Sequence, residues 1–300
     1  MHFGPTHSRF NRGILMAYVT FRAEGRTSYG IARSDGVFDL GRRVGSILPD
    51  LRALLTAQSL GLLAPLPAPT STDYASGEFT YLPILPNPSK IICVGLNYEE
   101  HRVETHRPVA SHPTLFTRWA DTLAGHNTPM MLPSNSSSFD FEGELAVIVG
   151  KPGHHVPEDR AMELVAGYSL FNDGSIRDWQ LHNSQYTPGK NFPSTAGFGP
   201  ELLTPEEAGA LPGKAIQTRL NGELVQSGHL DDMIFSIPRI LAYITAFTPL
   251  SPGDVIATGT PGGVGFKREP PLFMRHGDTV TITIEGIGAL TNSIQQAPLE

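Results

Sequence analysis

Short runs of β-branched and aromatic residues dominate the pattern of hydrophobic and polar positions along this chain. Between residues 17 and 40 these runs alternate with turn residues, which predicts a small β-meander. A helix is predicted over residues 46–60, because five apolar residues there share one helical face: Ile47, Leu48, Leu51, Leu54 and Leu55. Six prolines between residues 65 and 88 favour an extended connector without regular elements.

Longer strands are predicted from Lys90 onward, where we expect the main domain. Asn221-Gly222 stands between two alternating runs and is a strong signal for a two-residue hairpin turn. The clearest helical pattern of this half lies at residues 236–247. The runs typical of strands lie at residues 91–94, 114–119, 139–149, 165–172, 214–220, 223–226, 254–258 and 279–284. We therefore expect four segments: a disordered leader at 1–15, a small N-terminal domain at 16–64, a proline-rich connector at 65–89 and the main domain at 90–300.

The composition is that of an ordinary globular protein and argues against several partners. With 29 acidic and 22 basic residues the net charge is −7, so no global basic surface attracts nucleic acid or anionic lipid. The 31 glycines and 26 prolines indicate many turns and short strands, and hence a β-rich fold. No stretch approaches ~18 uncharged apolar residues, so we expect no membrane span. Cys93 is the only cysteine, which excludes an intrachain disulfide and fits a cytoplasmic location.

The segment from Phe139 to Gly150 is the most informative for chemistry. If it is one strand, its period of two places Asp140, Glu142 and Glu144 on the same face. Paired like charges on a strand that continues into an apolar run are unfavourable unless a cation neutralises them. A divalent metal site is one interpretation. A solvated outer face with ordinary acids is the other.

A second segment runs from a predicted strand into a helix. Asp173, Arg177 and Gln180 are spaced so that they share one helical face, which would bring an acid, a planar cation and an amide together. The alternative is a helix start in which Asp173 is the cap and forms a local ion pair with Arg177.

A third segment pairs an imidazole with a carboxylate. His101 and Glu104 are three residues apart on a predicted short helix. A carboxylate orients the imidazole and stabilises its protonated form, as a general base that takes a proton from water requires. A surface ion pair is the alternative.

The glycine-rich segment from Thr258 to Gly265 lacks the lysine of a phosphate-binding loop. Its backbone amides can face a substrate carboxylate, or it can be a tight turn after a strand. The chain has no nucleophile-elbow, Walker or dinucleotide-binding glycine motif. This argues against a serine hydrolase of the α/β type, a P-loop enzyme and a standard dinucleotide binder.

Assembled in order, these segments resemble the fumarylacetoacetate hydrolase family, close to its branch of acylpyruvate hydrolases and oxaloacetate decarboxylase-like proteins. The resemblance covers about residues 90–294. The matching motifs are Val94 to Tyr98 with His101 and Glu104, Glu142-Gly143-Glu144, Asn172-Asp173 with Arg177, Asp178 and Gln180, Thr187 to Phe192, Asn221-Gly222, Met233 to Ser236, and Thr258 to Gly265.

The resemblance implies an α+β, β-rich fold: a mixed β-sandwich roll with a small N-terminal β domain, assembled as a homodimer. It also implies one Mg²⁺ or Mn²⁺ per subunit, held by Glu142, Glu144 and Asp173. An all-oxygen set of this kind suits Mg²⁺ or Mn²⁺ and gives no reason for zinc. Some members place a further acidic ligand before the catalytic histidine; the nearby side chains here are Asn97, Glu99 and Glu100, and none is assigned.

The resemblance further implies catalytic roles for His101, Glu104 and Lys190, with His101 deprotonating a water. Five residues are expected to bind a small anionic keto acid: Arg177, Gln180, Lys190, Gly259 and Thr260. The leading hypothesis is a hydrolase that cleaves the C–C bond of a 2,4-dioxo acid, such as an acylpyruvate, fumarylpyruvate or maleylpyruvate, to pyruvate and a carboxylic acid. Such an enzyme would act in the degradation of aromatic or sugar-acid compounds.

Two alternatives remain to this hypothesis. The same metal-held enolate also permits an oxaloacetate decarboxylase or tautomerase, or a hydroxymuconate-type isomerase. A non-catalytic, metal-stabilised binding protein would keep the three carboxylates, but it would not need His101, Glu104 and Lys190 together.

Overall fold

The predicted β-meander opens the described part of the chain. Its strands are β1 (Tyr18–Ala23), β2 (Arg26–Arg33) and β3 (Gly36–Asp39), which pair as antiparallel neighbours and confirm the prediction. The computed structural model describes residues 17–63, 69–106, 108 and 110–298, so the expected leader at 1–15 lies outside the described residues.

The helix predicted over 46–60 is shorter than expected. A single turn, α1 (Gly41–Val44), is followed by α2 (Leu51–Ser59). The Asp50 side chain accepts a hydrogen bond from the Ala53 N–H at 2.7 Å, and this N-cap makes the helix begin at residue 51. Ile47 therefore precedes the helix and is 81% exposed instead of facing the core.

The proline-rich segment carries two short strands, so the expectation of a connector without regular elements is wrong here. β4 (Tyr74–Ala75) pairs with β3, and β5 (Thr80–Tyr81) pairs with β1. No proline lies between residues 70 and 82, so the backbone there keeps the N–H groups that pairing requires. Residues 64–68 lie outside the described part.

The rest of the described chain alternates strands with short helices. The strands are β6 (Ile91–Gly95), β7 (Thr114–Arg118), β8 (Leu123–Ala124), β9 (Met130–Leu132), β10 (Phe139–Asp140), β11 (Gly143–Val149), β12 (Val165–Asn172), β13 (Ser175–Ile176), β14 (Ala196–Leu203), β15 (Ala215–Leu220), β16 (Glu223–His229), β17 (Val255–Ala257), β18 (Thr279–Ile284) and β19 (Gly288–Gln296). The helices are α3 (Glu99–Glu104), α4 (Arg177–Gln180), α5 (Thr187–Lys190), α6 (Pro205–Ala208) and α7 (Ile237–Phe247). Segments of 3-10 helix lie at Ala120–Thr122, Glu158–Leu164, Leu230–Asp232 and Gly265–Lys267.

The strands of the described chain form mixed sheets. The largest has the order β4-β3-β2-β1-β14-β12-β11-β17-β6-β7, with β5 added at β1 and β8 at β14. A second has the order β16-β15-β18-β19-β9, and β10 pairs with β13 alone. Most neighbours are antiparallel, whereas β17 with β6, β14 with β8 and β19 with β9 are parallel. The expected β-rich α+β class is confirmed, and so is the hairpin turn, where Asn221 and Gly222 both have positive φ.

The strand predicted over 139–149 is broken in two. β10 pairs with β13, whereas β11 pairs with β12 and β17. Because the two halves have different partners, Asp140 does not continue the face of Glu142 and Glu144. Its Oδ1 instead accepts hydrogen bonds from the N–H groups of Phe141 and Gly265, both at 2.8 Å.

Strand β11 carries the site and is buried on both faces. Leu145, Val147 and Val149 pack in one hydrophobic cluster, whereas Ala146 and Ile148 pack in another. Helix α7 contributes to the first cluster and α2 to the second, so the large sheet lies between two cores. Among the described residues no helix combines the length and apolar character that crossing a membrane requires.

Asn97 connects three parts of the chain around the site. It lies between β6 and α3 and is fully buried. Its Nδ2 donates to the carbonyl of Thr258 at 2.7 Å and to that of Phe235 at 3.1 Å, and its Oδ1 accepts from the Phe235 N–H at 2.7 Å. Asn97 therefore fixes the start of α3 against the end of β17.

We expect Asn97→Ala to lower the free energy of unfolding by about 3 kcal/mol, because it leaves the buried Thr258 carbonyl and the partly buried backbone groups of Phe235 without their partners. Urea unfolding should show a lower midpoint with an unchanged slope. Asn135→Ala, at an exposed loop position, is the matched control and should stay within ~0.5 kcal/mol of wild type. Equal midpoints for the two variants would contradict this role of Asn97.

Candidate metal centre and active site

Three buried carboxylates converge where β11 begins and β12 ends. Glu142 and Glu144 flank Gly143, and Asp173 follows the last residue of β12. The Asp173 N–H donates to the Glu142 carbonyl at 2.8 Å, which brings the two segments together. One oxygen from each carboxylate lies within 4.8 Å of the others, and all three residues are at most 5% exposed. The placement of Glu142 beside Glu144 is thus as predicted, and a solvated outer face is excluded.

The donor set of this triad fits a divalent metal. Burial raises the pKa of Glu144 well above its ordinary value, and the charges of Asp173 and Glu142 raise it further. Its Oε2 accepts one hydrogen bond, from the Gly259 N–H at 2.8 Å. Ionised Glu144 therefore needs more positive charge than the surrounding protein supplies. Because carboxylate oxygens are the ligands that hard cations prefer, the triad can hold a divalent metal.

Lys190 lies between two members of the triad. Its Nζ donates to Glu142 Oε2 at 2.6 Å and to Asp173 Oδ2, and the residue is 1% exposed. Burial lowers the pKa of Lys190, but Asp173 and Glu142 raise it by more, so the amine stays charged. For Glu142, burial is outweighed by Lys190 and Arg177, which hold its pKa well below the ordinary value.

Arg177 contacts Glu142 and Asp140 rather than Asp173. Its Nη2 lies 2.7 Å from Glu142 Oε1, its Nε donates to Asp140 Oδ2 at 2.8 Å, and its Nη1 donates to Gln180 Oε1 at 2.8 Å. The shared helical face predicted for Asp173, Arg177 and Gln180 is wrong, because β13 separates Asp173 from the single turn of α4. The alternative interpretation, a local ion pair between Asp173 and Arg177, is also wrong, because these two described residues form no such pair. The three side chains nevertheless line one cavity.

Arg118 contacts the triad, although the sequence does not predict it to be part of the site. It ends β7, its side chain is fully buried, and its Nη1 pairs with Asp173 Oδ1. The guanidinium also donates to the Gly174 carbonyl at 3.0 Å and to Thr195 Oγ1 at 2.9 Å. With Arg118 on one oxygen and Lys190 near the other, Asp173 is held in a fixed orientation. An arginine at the end of a predicted strand is usually exposed to solvent, so the sequence contains no specific signal for this buried contact.

The predicted pair of His101 and Glu104 is formed. His101 Nδ1 lies 2.7 Å from Glu104 Oε1, and Glu104 Oε2 accepts from the Gly263 N–H at 2.9 Å. His101 is only 5% exposed, which argues against an ordinary surface ion pair. Since Nδ1 is engaged by Glu104, Nε2 is the ring nitrogen left for chemistry.

The amides of the glycine-rich segment donate to protein carboxylates. The Gly259 amide, expected to face a substrate carboxylate, instead holds Glu144. Thr260 Oγ1 donates to the Gly143 carbonyl at 3.0 Å and accepts from Gln226 Nε2 at 2.8 Å. Gly259 and Thr260 thus position the start of β11.

Further along the same segment, two more amides hold the acid behind Arg177. The N–H groups of Gly265 and Phe266 donate to the two oxygens of Asp140 at 2.8 and 3.0 Å. The Arg177 guanidinium carbon lies 4.2 Å from the centroid of the Phe266 ring. The turn after the glycine-rich segment and Arg177 therefore share Asp140 as their anchor.

These side chains surround a cavity of about 180 Å³, which we call the central cavity. All sequence-predicted site residues line it except Glu104 and Gly259, which contact lining residues from behind. The lining residues are Val94, Gly95, Leu96, His101, Thr105, Phe116, Glu142, Glu144, Asp173, Arg177, Gln180, Leu181, Tyr186, Lys190, Thr260, Phe266 and Lys267.

Comparison with known proteins relates this arrangement to named enzymes. Oxaloacetate tautomerase fahd2, mitochondrial, from Xenopus laevis is 34% identical over 289 residues, which is 94% of this chain and 91% of that protein. Oxaloacetate tautomerase FAHD2A, mitochondrial, from Homo sapiens is 37% identical over 257 residues, which is 85% of this chain and 80% of that protein. The cytoplasmic location expected from the sequence stays a prediction, since both names place these relatives in mitochondria.

The fold and the sequence family agree. The solved structure of a fumarylacetoacetate hydrolase from Exiguobacterium antarcticum superposes with a TM-score of 0.80 and 32% identity, over 94% of this chain and 100% of that one. Residues 90–295 match the family model described as Fumarylacetoacetate (FAA) hydrolase C-terminal. This range contains the triad, Lys190 and the pair of His101 and Glu104. The chain therefore belongs to the fumarylacetoacetate hydrolase family of enzymes.

Proposed function

We propose that this chain catalyses keto–enol chemistry on a small 2-oxo acid with a divalent metal, and that its reaction is the interconversion of the enol and keto forms of oxaloacetate. The observation that carries the proposal is the size and lining of the central cavity. At about 180 Å³ it is smaller than the ~300–1,000 Å³ of sites for drug-sized ligands. It brings the triad, His101 and Gln180 together, which suits a four-carbon acid.

Mg²⁺ or Mn²⁺ is the proposed metal, held by Glu142, Glu144 and Asp173. When bound, it supplies a Lewis acid for the 2-oxo group and charge stabilisation for an enolate. Arg118 and Lys190 hold the ligand oxygens of Asp173 in place, and Arg177 holds Glu142.

The proton movements are assigned to side chains of the central cavity. His101 Nε2 takes a proton from C3 of the keto form, and Glu104 stabilises the imidazolium that results. The imidazolium of His101 then returns this proton to the C2 oxygen, which gives the enol and restores the neutral imidazole, and the reverse sequence returns the ketone. Gln180 is held at Oε1 by Arg177, so its amide N–H groups remain to donate to the substrate oxygen. Lys190 keeps its proposed role as the fixed positive charge beside the substrate carboxylate.

Decay of the ultraviolet absorbance of enol-oxaloacetate tests this function. Wild-type protein with Mg²⁺ should accelerate the decay beyond the rate with Mg²⁺ alone. Pyruvate is assayed in parallel and should not form at the same rate, which excludes decarboxylation as the cause of the decay. A rate equal to that of Mg²⁺ alone would reject the proposal.

C–C bond hydrolysis of an acylpyruvate is the second candidate. The pairing of a buried His101 with Glu104 favours it, because the same base can deprotonate a water. A product screen with Mg²⁺ over acetylpyruvate, fumarylpyruvate, maleylpyruvate, oxaloacetate and a hydroxymuconate-type diacid separates hydrolase, decarboxylase, tautomerase and isomerase. Hydrolysis should release equal amounts of pyruvate and a carboxylic acid.

For the metal, we expect Glu144→Gln to weaken Mg²⁺ and Mn²⁺ binding by at least ~100-fold, because an amide removes one charged ligand while it relieves repulsion within the triad. Titration calorimetry measures the affinity. The rise in melting temperature that metal gives to wild type should disappear, and the metal-free variant should melt no lower than wild type.

Glu100→Gln is the matched control, since Glu100 is an exposed acid on α3 outside the triad. It should bind metal as wild type does. An unchanged metal affinity of Glu144→Gln would remove Glu144 from the ligand set.

For the base, we expect His101→Ala to lower kcat for enol–keto conversion by ~10² to 10⁴ with little change in KM, if chemistry limits turnover. Glu104→Gln keeps the shape but removes the charge behind the imidazole, so its loss should be smaller and in the same direction. Both variants should still bind Mg²⁺ and oxalate. If both react at wild-type rates in single-turnover experiments, the pair is structural and this mechanism fails.

A further inference from the structure

Lys267 is a basic residue of the central cavity that the reaction above does not use. It lines the cavity yet is exposed, which places it at the mouth. Its Nζ lies 5.1 Å from the centroid of the Phe266 ring, whose other cationic neighbour is Arg177. The aromatic ring thus lies close both to the buried cation and to the cation at the mouth.

The backbone that carries Lys267 is anchored. Gly265–Lys267 is a 3-10 turn whose Gly265 and Phe266 amides donate to Asp140. Asp140 is fully buried and also accepts from Arg177. Lys267 therefore extends from a point fixed relative to the triad, although its own side chain is exposed.

The other cations of the central cavity already have protein partners. Arg177 contacts Asp140 and Glu142, and Lys190 contacts Glu142 and Asp173. Lys267 forms no ion pair with any carboxylate in the part of the chain that the structure describes. Among the described residues of the cavity lining, it is the lysine or arginine without a carboxylate partner, so its charge is left for a second anionic group of a ligand, beyond the carboxylate beside Lys190.

The charges around the triad leave room for one substrate carboxylate. The buried acids in and around the triad are Asp140, Glu142, Glu144 and Asp173. The buried cations that contact them are Arg118, Arg177 and Lys190. A bound dication would bring this group to one net positive charge, which balances one carboxylate. A second carboxylate on the same ligand needs another cation.

On the proposed function as its basis, we propose that Lys267 binds the distal carboxylate of a four-carbon dicarboxylate and so makes the site selective for 2-oxo diacids over 2-oxo monoacids. The carboxylate and oxygen at the other end of the ligand lie toward the triad. Lys267 is then a specificity residue at the mouth of the cavity, distinct from the groups that move protons.

Two stable ligands with the same four-carbon chain test this assignment. Malate and 2-hydroxybutanoate share the 2-hydroxy acid end and differ in having a distal carboxylate or a methyl group. With Mg²⁺-loaded protein, calorimetry should show malate favoured by about 5-fold in wild type, the upper end for an exposed ion pair. The preference should weaken as salt is added.

Lys267→Met should reduce this ratio to about 1, Lys267→Arg should retain it, and Lys267→Glu should invert it. Lys151→Met is the matched control for a lost surface charge, because Lys151 is exposed and outside the cavity lining; it should keep the wild-type ratio. A wild-type ratio of 1, or an unchanged ratio in Lys267→Met, would overturn the proposal.

The two proposals fail separately. If wild type does not accelerate oxaloacetate tautomerisation but the ligand ratio still depends on Lys267, the reaction is wrong and the diacid selectivity stands. If tautomerisation is accelerated and Lys267→Met keeps the wild-type ratio, the reaction stands and Lys267 is not the specificity residue. In the expected outcome, Lys267→Met also raises KM for oxaloacetate by about 5-fold.

Discussion

The concentration of negative charge in a buried volume is the constraint on which the rest of this structure depends. Three carboxylates whose oxygens approach within 4.8 Å cannot all be ionised in a low-dielectric interior unless cations lie beside them. The protein places Arg118, Arg177 and Lys190 at the oxygens of Glu142 and Asp173, each from a different element, whereas Glu144 receives a backbone N–H. Strand β7 and helices α4 and α5 are thereby drawn around the ends of β11 and β12. This electrostatic requirement acts together with the hydrophobic cores in positioning these elements around the site.

The segment from Gly259 to Phe266 meets the same requirement with backbone dipoles. Its N–H groups donate to Glu144, Glu104 and Asp140 in turn, so one stretch of chain holds a carboxylate of the triad, the carboxylate paired with His101 and the anchor of Arg177. Backbone donors add no formal charge, so the negative charge of the site still has to be neutralised by cationic side chains. Substitutions that shift this segment should therefore disturb all three centres together.

Local patterns predicted most elements and most of the site, whereas long-range contacts escaped them. The hairpin at Asn221-Gly222 and the helix ending at Phe247 depend on neighbouring residues, and both appear where predicted. The period of two predicts Asp140 on the same face as Glu142 and Glu144. This is wrong because the strand pairing changes after Asp140, and periodicity does not reveal a change of pairing partner. Asp173 and Arg177 line one cavity without sharing a helix, and the family resemblance predicts this because shared motifs reflect tertiary contacts. Arg118 lies 55 positions from Asp173, and nothing local marked their pairing.

The burial of β11 on both faces bears on how such a scaffold can diversify. Residues 144–149 of that strand each serve one of two cores or the triad, so the chain there has almost no freedom to accept new side chains. The mouth of the central cavity is different, because Leu181 and Lys267 are exposed and exchangeable at little cost in stability. Evolution can thus alter the mouth of the cavity while the three carboxylates at its floor are kept. A constrained floor and an exchangeable mouth would allow one fold to serve different reactions, which agrees with relatives that are named tautomerases and hydrolases.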